Sequence, residues 1–291
     1  MLKGFVCPDT HKDTPFDTCW KECRHRCMPL PVLLAVSKQM RESEDDVYHV
    51  TELISLPQAV WLQRNKDYYV PPESLIDMNI GTSWHEKLEQ TKQYVQELGL
   101  EDDYIIEKNF KEIFWWYKKQ SRLLTADDVG KADDKIMELD SIILSGTPDL
   151  YVKSTNTLWD YKVTNYFYTA KYMLDNKWDD NSYMWQLNIY RRFNYRDARM
   201  KLFCYLKDWK RDFPKKYGVG KTVVIEVPKI PDRVVDNRVK QLLAEHVQNQ
   251  RDSSKIRQCT KEEMWISNKG EKVRCESYCS VSGICPKRRK K

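Results

Sequence analysis

The residues best placed to do chemistry together lie at 146–162, in GTPDLYVKSTNTLWDYK. Two apolar runs, IILSGTPDLYV and TLWDYKVT, flank a polar group at 153–156, a pattern that predicts two paired strands with a turn. Side chains alternate along a strand, so Asp160 and Lys162 project from one face while Trp159, Tyr161 and Val163 project from the other. Asp149, on the partner strand, can face the Asp160 side. Two carboxylates and an ammonium converging at one sheet edge would hold a divalent cation and leave a lysine beside whatever the cation binds. That is the chemistry of metal-assisted phosphodiester hydrolysis. Asp-x-Lys alone is commonplace on solvated strand faces, so its weight depends on what accompanies it.

The elements needed to position this group are readable on both sides. Ser83 and Glu86 have capping-box spacing, and Trp84, Leu88, Thr91, Val95 and Leu98 recur at helical spacing before Gly99, which predicts a helix over 83–98 with His85 in its first turn. Residues 104–117 read as a strand or bent strand pair; Glu107 lies on it, in surface or strand-edge duty, with a second metal position as the rarer use. Residues 118–140 read as a loop. Helical character returns over 168–195, where Gln186 and Tyr190, four apart, share a face. Strands follow at 201–209 and 221–230. Asp232 then caps a helix whose stripe is Val234, Val235, Val239, Leu242, Leu243 and Val247, and another helix starts near Pro57. Helices alternating with strands in this way predict an α/β core with a mixed sheet.

A chain of 291 residues allows one large domain or two modest ones, and its 10 Trp, 17 Tyr and 8 Phe argue for a packed core. Apolar runs fall far short of the roughly 20 residues a spanning helix needs. The start, MLKGFVCPDTHKD, lacks the apolar run of a secretory signal, so the expected compartment is a reducing cytoplasm. Lys287, Arg288, Arg289, Lys290 and Lys291 carry five charges of the net +6, a tail that suits nucleic acid or simple solvation. Cys204 stands alone in an apolar run and reads as core. The other eight cysteines fall into an early set, Cys7, Cys19, Cys23 and Cys27, and a late set, Cys259, Cys275, Cys279 and Cys285, which in a cytoplasmic protein points to metal rather than disulfides. The early spacing is not a usual zinc pattern, so metal and free thiols both stay open there, with His11 and His25 as substitute ligands.

Taken in order, His85 in GTSWHEKLE, Asp149 in GTPDL, Asp160 and Lys162 in DYK, and Gln186 and Tyr190 in QLNIY resemble the motif series of the PD-(D/E)XK nuclease superfamily, in its RecB-type branch and the related nuclease-like proteins of tailed bacteriophages. The phage resemblance extends over nearly the whole chain, through VTELISLPQAVWL, LKDWKRD, CTKEEMW and CESYCSVSGICP. It implies a restriction-endonuclease-like α/β core at 47–255, with a central mixed sheet flanked by helices, between Cys-rich segments at 1–46 and 256–291. It also implies a Mg²⁺- or Mn²⁺-dependent DNA exonuclease of phage recombination, repair or processing. His85, Asp149, Asp160 and the Tyr161 backbone carbonyl would hold the ion, Lys162 would orient the attacking water, and Gln186 and Tyr190 would contact DNA or position that water. DNA is the implied partner, with a helicase, recombinase or single-strand-binding protein as further candidates.

RecB-type relatives with an iron–sulfur cluster hold it by one early and three late cysteines. Here Leu56 and Pro57 stand at the early position, so the fourth ligand beside Cys275, Cys279 and Cys285 would come from Cys259, the favoured choice, or from the amino-terminal set. A [4Fe–4S] cluster is expected, with zinc as the alternative. The rival reading is a catalytically silent, metal-stapled DNA-binding or recombination accessory protein, which has no need of Asp149, Asp160 and Lys162 together.

Overall fold

The strand-forming stretches resolve into three sheets in a computed structural model that describes residues 1–37, 44–124, 138–179 and 181–286. The basic tail at 287–291, the first half of the charged run at 41–46 and the middle of the expected loop at 118–140 lie outside the described residues. The chain divides into two compact units, one formed by Met1–Asp45, Ser55–Asn79 and Leu242–Lys291, the other by Asp46–Ile54 and Ile80–Gln241.

In the first unit, strand β1 (Leu2–Val6) pairs antiparallel with β2 (Asp13–Pro15) and parallel with β4 (Tyr68–Val70). Phe5, Cys19, Leu33, Val36, Leu62, Tyr68, Val70, Leu75 and Val281 form one buried cluster, with Cys279, Ile284 and Cys285 packed against it. Residues from 1–46, from 55–79 and from 256–291 thus share one buried cluster. Neither terminal segment has the apolar surface to bury a core of its own. The helix Pro57–Asn65 begins at Pro57, as the sequence indicates.

The second unit holds two sheets. One is four-stranded, in the order β3 (Val47–His49), β8 (Leu139–Gly146), β6 (Phe110–Tyr117), β7 (Arg122–Leu124). The other is five-stranded, in the order β12 (Thr222–Glu226), β11 (Arg199–Leu206), β10 (Thr157–Thr164), β9 (Leu150–Val152), β5 (Tyr104–Ile106). β10 runs parallel to β11 and antiparallel to β9, so this sheet is mixed. The stretch at 104–117 is thus two strands in two different sheets, with Glu107 between them.

Two helical expectations are corrected. The helix expected at 83–98 spans Pro72–Glu89, and a separate short helix follows at Lys92–Glu97. Gly81 reads locally as a breaker, but the helix runs through it, leaving Ser83 and Glu86 inside the helix rather than at its start. The stripe is not buried either: Trp84 and Leu98 are exposed. Asp232 opens the helix Asp232–Arg251, yet its carboxylate accepts from Arg191 Nη2 at 2.7 Å, and Val235, Val239, Leu243 and Val247 are buried while Val234 is exposed. No helix among the described residues is long and apolar enough to cross a membrane.

Candidate metal and catalytic site

The β9–β10 hairpin forms as the alternation indicates. Asn156 adopts φ +46° in the turn, a left-handed conformation that asparagine tolerates better than most residues. Its closure sets the register Thr157↔Val152, Leu158↔Tyr151 and Trp159↔Leu150, and one step further Asp160 stands beside Asp149. On the other side of β9, Ile106 pairs with Leu150, and the next residue, Glu107, donates its N–H to the Asp149 carbonyl at 3.0 Å. Three carboxylates, Glu107, Asp149 and Asp160, therefore occupy successive positions of one row across three strands. Glu107 holds φ +46°, a strained conformation for a glutamate and one that clusters at functional sites.

Asp149 is buried and fixed by two contacts. Its Oδ2 accepts from the Tyr161 N–H at 2.6 Å, and its Oδ1 lies 3.3 Å from His85 Nδ1 on the helix Pro72–Glu89. His85, Glu107 and Asp149 each offer a ligand atom within 4.8 Å of the other two, so the residues present fit a divalent cation. The hydrogen bond to Asp149 raises the His85 pKa against the opposing effect of burial. Burial raises that of Glu107, with the charges of Glu89 and Asp149 adding to it.

Asp160 belongs to the row but has a different partner, since Lys162 Nζ lies 2.7 Å from its Oδ2. Its Oδ1 is buried with no hydrogen-bond partner among the described residues. Burial pushes the carboxyl up to about 6, against the pull of the Lys162 ammonium. Burial acts to lower Lys162 as well, but the charges of Asp160 and Asp149 outweigh it and hold the ammonium protonated. Lys162 also lies over the Tyr183 ring at 5.2 Å, a neighbour that no sequence pattern signals.

Tyr183, Gln186 and Tyr190 lie on the helix Ser182–Phe193, which Asn181 caps by accepting from the N–H groups of Tyr183 and Met184. Gln186 Nε2 donates to Tyr190 Oη at 3.1 Å, and both side chains are buried. Burial raises the Tyr190 hydroxyl pKa, and the charge of Asp160 adds to it. The Tyr190 ring meets Phe110 edge-on at 5.9 Å. Gly146 makes that approach possible, because a Cβ there would fall 2.6 Å from Phe110 Cε1 and 2.7 Å from Tyr190 Cε1. Asn109, also missed from sequence, donates to Ser145 Oγ, Gly146 O and Thr147 Oγ1 and pins the approach to Asp149.

The late cysteines form a second group. Cys259 donates from N and Sγ to Gln58 Oε1 at 3.3 and 3.4 Å. Its thiol is pushed up to about 11 by burial, then by Glu263, Cys275, Cys285 and Cys279 in turn. Burial likewise raises Cys275 and Cys279. In the early set Cys19 belongs to the apolar core, and burial raises its thiol ahead of the influence of Cys23, Cys27 and Cys7. The group of His85, Glu107 and Asp149 is the one convergence of three or more potential ligands within 4.8 Å of one another among the described residues. Cys204 is fully buried in β11.

No family model and no curated protein matches the chain. Among solved structures, that of SSO0001 is similar with a TM-score of 0.49 at 14% identity, covering 89% of this chain and 96% of that one. A phage related exonuclease from Haemophilus somnus 129PT is similar with a TM-score of 0.27 at 15% identity, covering 39% of this chain and 58% of that one.

Proposed function

We propose that this chain is a divalent-metal-dependent nuclease of the RecB-type PD-(D/E)XK kind that hydrolyses phosphodiester bonds in DNA, with exonuclease action implied by the motif resemblance. The observation that carries the reading is the row of Glu107, Asp149 and Asp160 with His85 3.3 Å from one end of Asp149 and Lys162 2.7 Å from Asp160. A divalent cation bound there supplies Lewis acidity at a phosphoryl oxygen and a water acidic enough to attack near neutral pH. His85, Glu107 and Asp149 hold it, and the unpartnered Oδ1 of Asp160 offers a further oxygen. The imidazole tilts preference from Mg²⁺ toward Mn²⁺. Lys162 keeps its proton and so acts as a cation toward the phosphate, stabilising charge that builds there. The buried Gln186–Tyr190 pair serves better as a support beneath Asp160 than as a DNA contact.

Cys259, Cys275, Cys279 and Cys285 form, in this reading, a structural centre apart from the cation site, since thiolates are soft ligands and Mg²⁺ is hard. The motif resemblance implies an iron–sulfur cluster there, with zinc as the alternative. Incubating purified protein with labelled linear and circular DNA, in Mn²⁺ or EDTA, tests the proposal. Mn²⁺-dependent shortening of linear DNA is expected; binding without any cleavage would favour the silent accessory protein.

A further inference from the structure

A second feature begins two residues beyond the strand that carries Asp160 and Lys162. Tyr166–Ala170 forms a π-helix, a rare element frequent at functional sites, and its first N–H is held by Asp208 Oδ1 at 2.7 Å. Tyr166, Phe167, Phe213 and Tyr217 all touch one another, with ring centroids 5.0–5.7 Å apart. Tyr166 and Phe213 are buried and form a floor; Phe167 and Tyr217 are each 41% exposed. Gly218, at φ +67°, ends the short helix Phe213–Tyr217 just past the outer ring.

Charge around the rings is one-sided. Residues 207–221 carry six cations against Asp208 and Asp212, and both carboxylates are engaged, the first by Tyr166 N–H and the second by Lys216 Nζ at 2.6 Å. Exposed aromatic rings among cations suit a nucleic-acid strand, whose bases stack while its phosphates meet the ammonium groups. Only unpaired bases have both faces to offer, since a duplex keeps them stacked on one another.

We propose that Phe167 and Tyr217 form a stacking platform for unpaired bases of a nucleic-acid strand, with Lys210, Arg211 and Lys215 contacting its phosphates. The platform rests on the nuclease reading for its purpose, because a strand held there lies at most about 17 Å along the chain from Lys162. The experiment is fluorescence anisotropy of labelled oligo-dT on the full chain in EDTA, where nothing is cleaved. Phe167→Leu and Tyr217→Leu keep apolar bulk but remove the ring, and each is expected to weaken binding about 5-fold or more at unchanged melting temperature. An abasic strand of equal length should bind more weakly than oligo-dT. Affinity unchanged from the parent protein in both Leu variants, or abasic binding as tight as oligo-dT, overturns the platform. So does sedimentation showing a dimer that Phe167→Leu dissociates, which would assign the rings to a second copy. Loss of oligo-dT binding in the Leu variants of a protein that never cleaves DNA would uphold the platform and remove the nuclease reading; cleavage with unchanged binding would do the reverse.

Discussion

Asp149 divides its carboxylate between two partners, with Oδ1 3.3 Å from His85 Nδ1 and Oδ2 accepting from the Tyr161 N–H at 2.6 Å. One residue thus links the helix histidine to the strand that carries Asp160 and Lys162. Asp149→Asn keeps an acceptor for Tyr161 and is expected to abolish cleavage and calorimetric Mn²⁺ binding with little loss of stability. Asp149→Ala should also lower the melting temperature, because an orphaned buried N–H costs about 1–3 kcal/mol. Full activity in Asp149→Asn would remove this residue from the site.

Glu107 is the ligand that the geometry adds. Glu107→Gln should weaken Mn²⁺ binding by about tenfold or more, equivalent to about 1.4 kcal/mol. An unchanged dissociation constant would return Glu107 to the strand-edge duty its local sequence suggests.

Lys162→Ala removes no proposed ligand. Mn²⁺ binding should persist while turnover falls by about 10²–10³-fold, the scale of losing one donor to developing charge. The same change leaves buried Asp160 without its ammonium, so the metal-free variant should melt earlier and recover when Mn²⁺ is added. Metal binding that vanishes along with activity would contradict this division of labour.

The pH dependence has a definite sign. Asp160 is raised to about 6 and His85 is also raised, so the folded protein binds more protons than the unfolded chain from about pH 4 upward. Both contributions favour the fold at low pH and are lost as pH rises through the folded values. A bound cation needs both groups deprotonated, so it gains over the same window. The melting-temperature increase on adding Mn²⁺ should be small at pH 5 and grow toward pH 8; an increase that does not vary with pH would exclude these groups as ligands.

Cys279→Ala should lower the melting temperature and strip a brown chromophore, or one equivalent of zinc if the centre is zinc. Because Cys279 also packs against the first unit's core, metal content and the absorption spectrum decide the case. Unchanged metal content would make the late cysteines ordinary thiols.

What the sequence determined by itself is local. Strand alternation set Asp160 and Lys162 on one face, the polar turn fixed the hairpin that brings Asp149 beside them, and i,i+4 spacing joined Gln186 to Tyr190. Each depends on a period of two or 3.6 that a short stretch carries whole. Tertiary structure alone decided the rest. Glu107 enters the row because β5 pairs laterally with β9 across more than forty residues of chain, and because its backbone takes a left-handed φ that no propensity announces. The helix holding His85 begins eleven residues before its apparent cap because propagation through Gly81 costs only about 1 kcal/mol. The chain's two ends share one core, since neither holds enough apolar surface to exclude water alone, and burial of that kind belongs to the assembled unit rather than to any window of sequence.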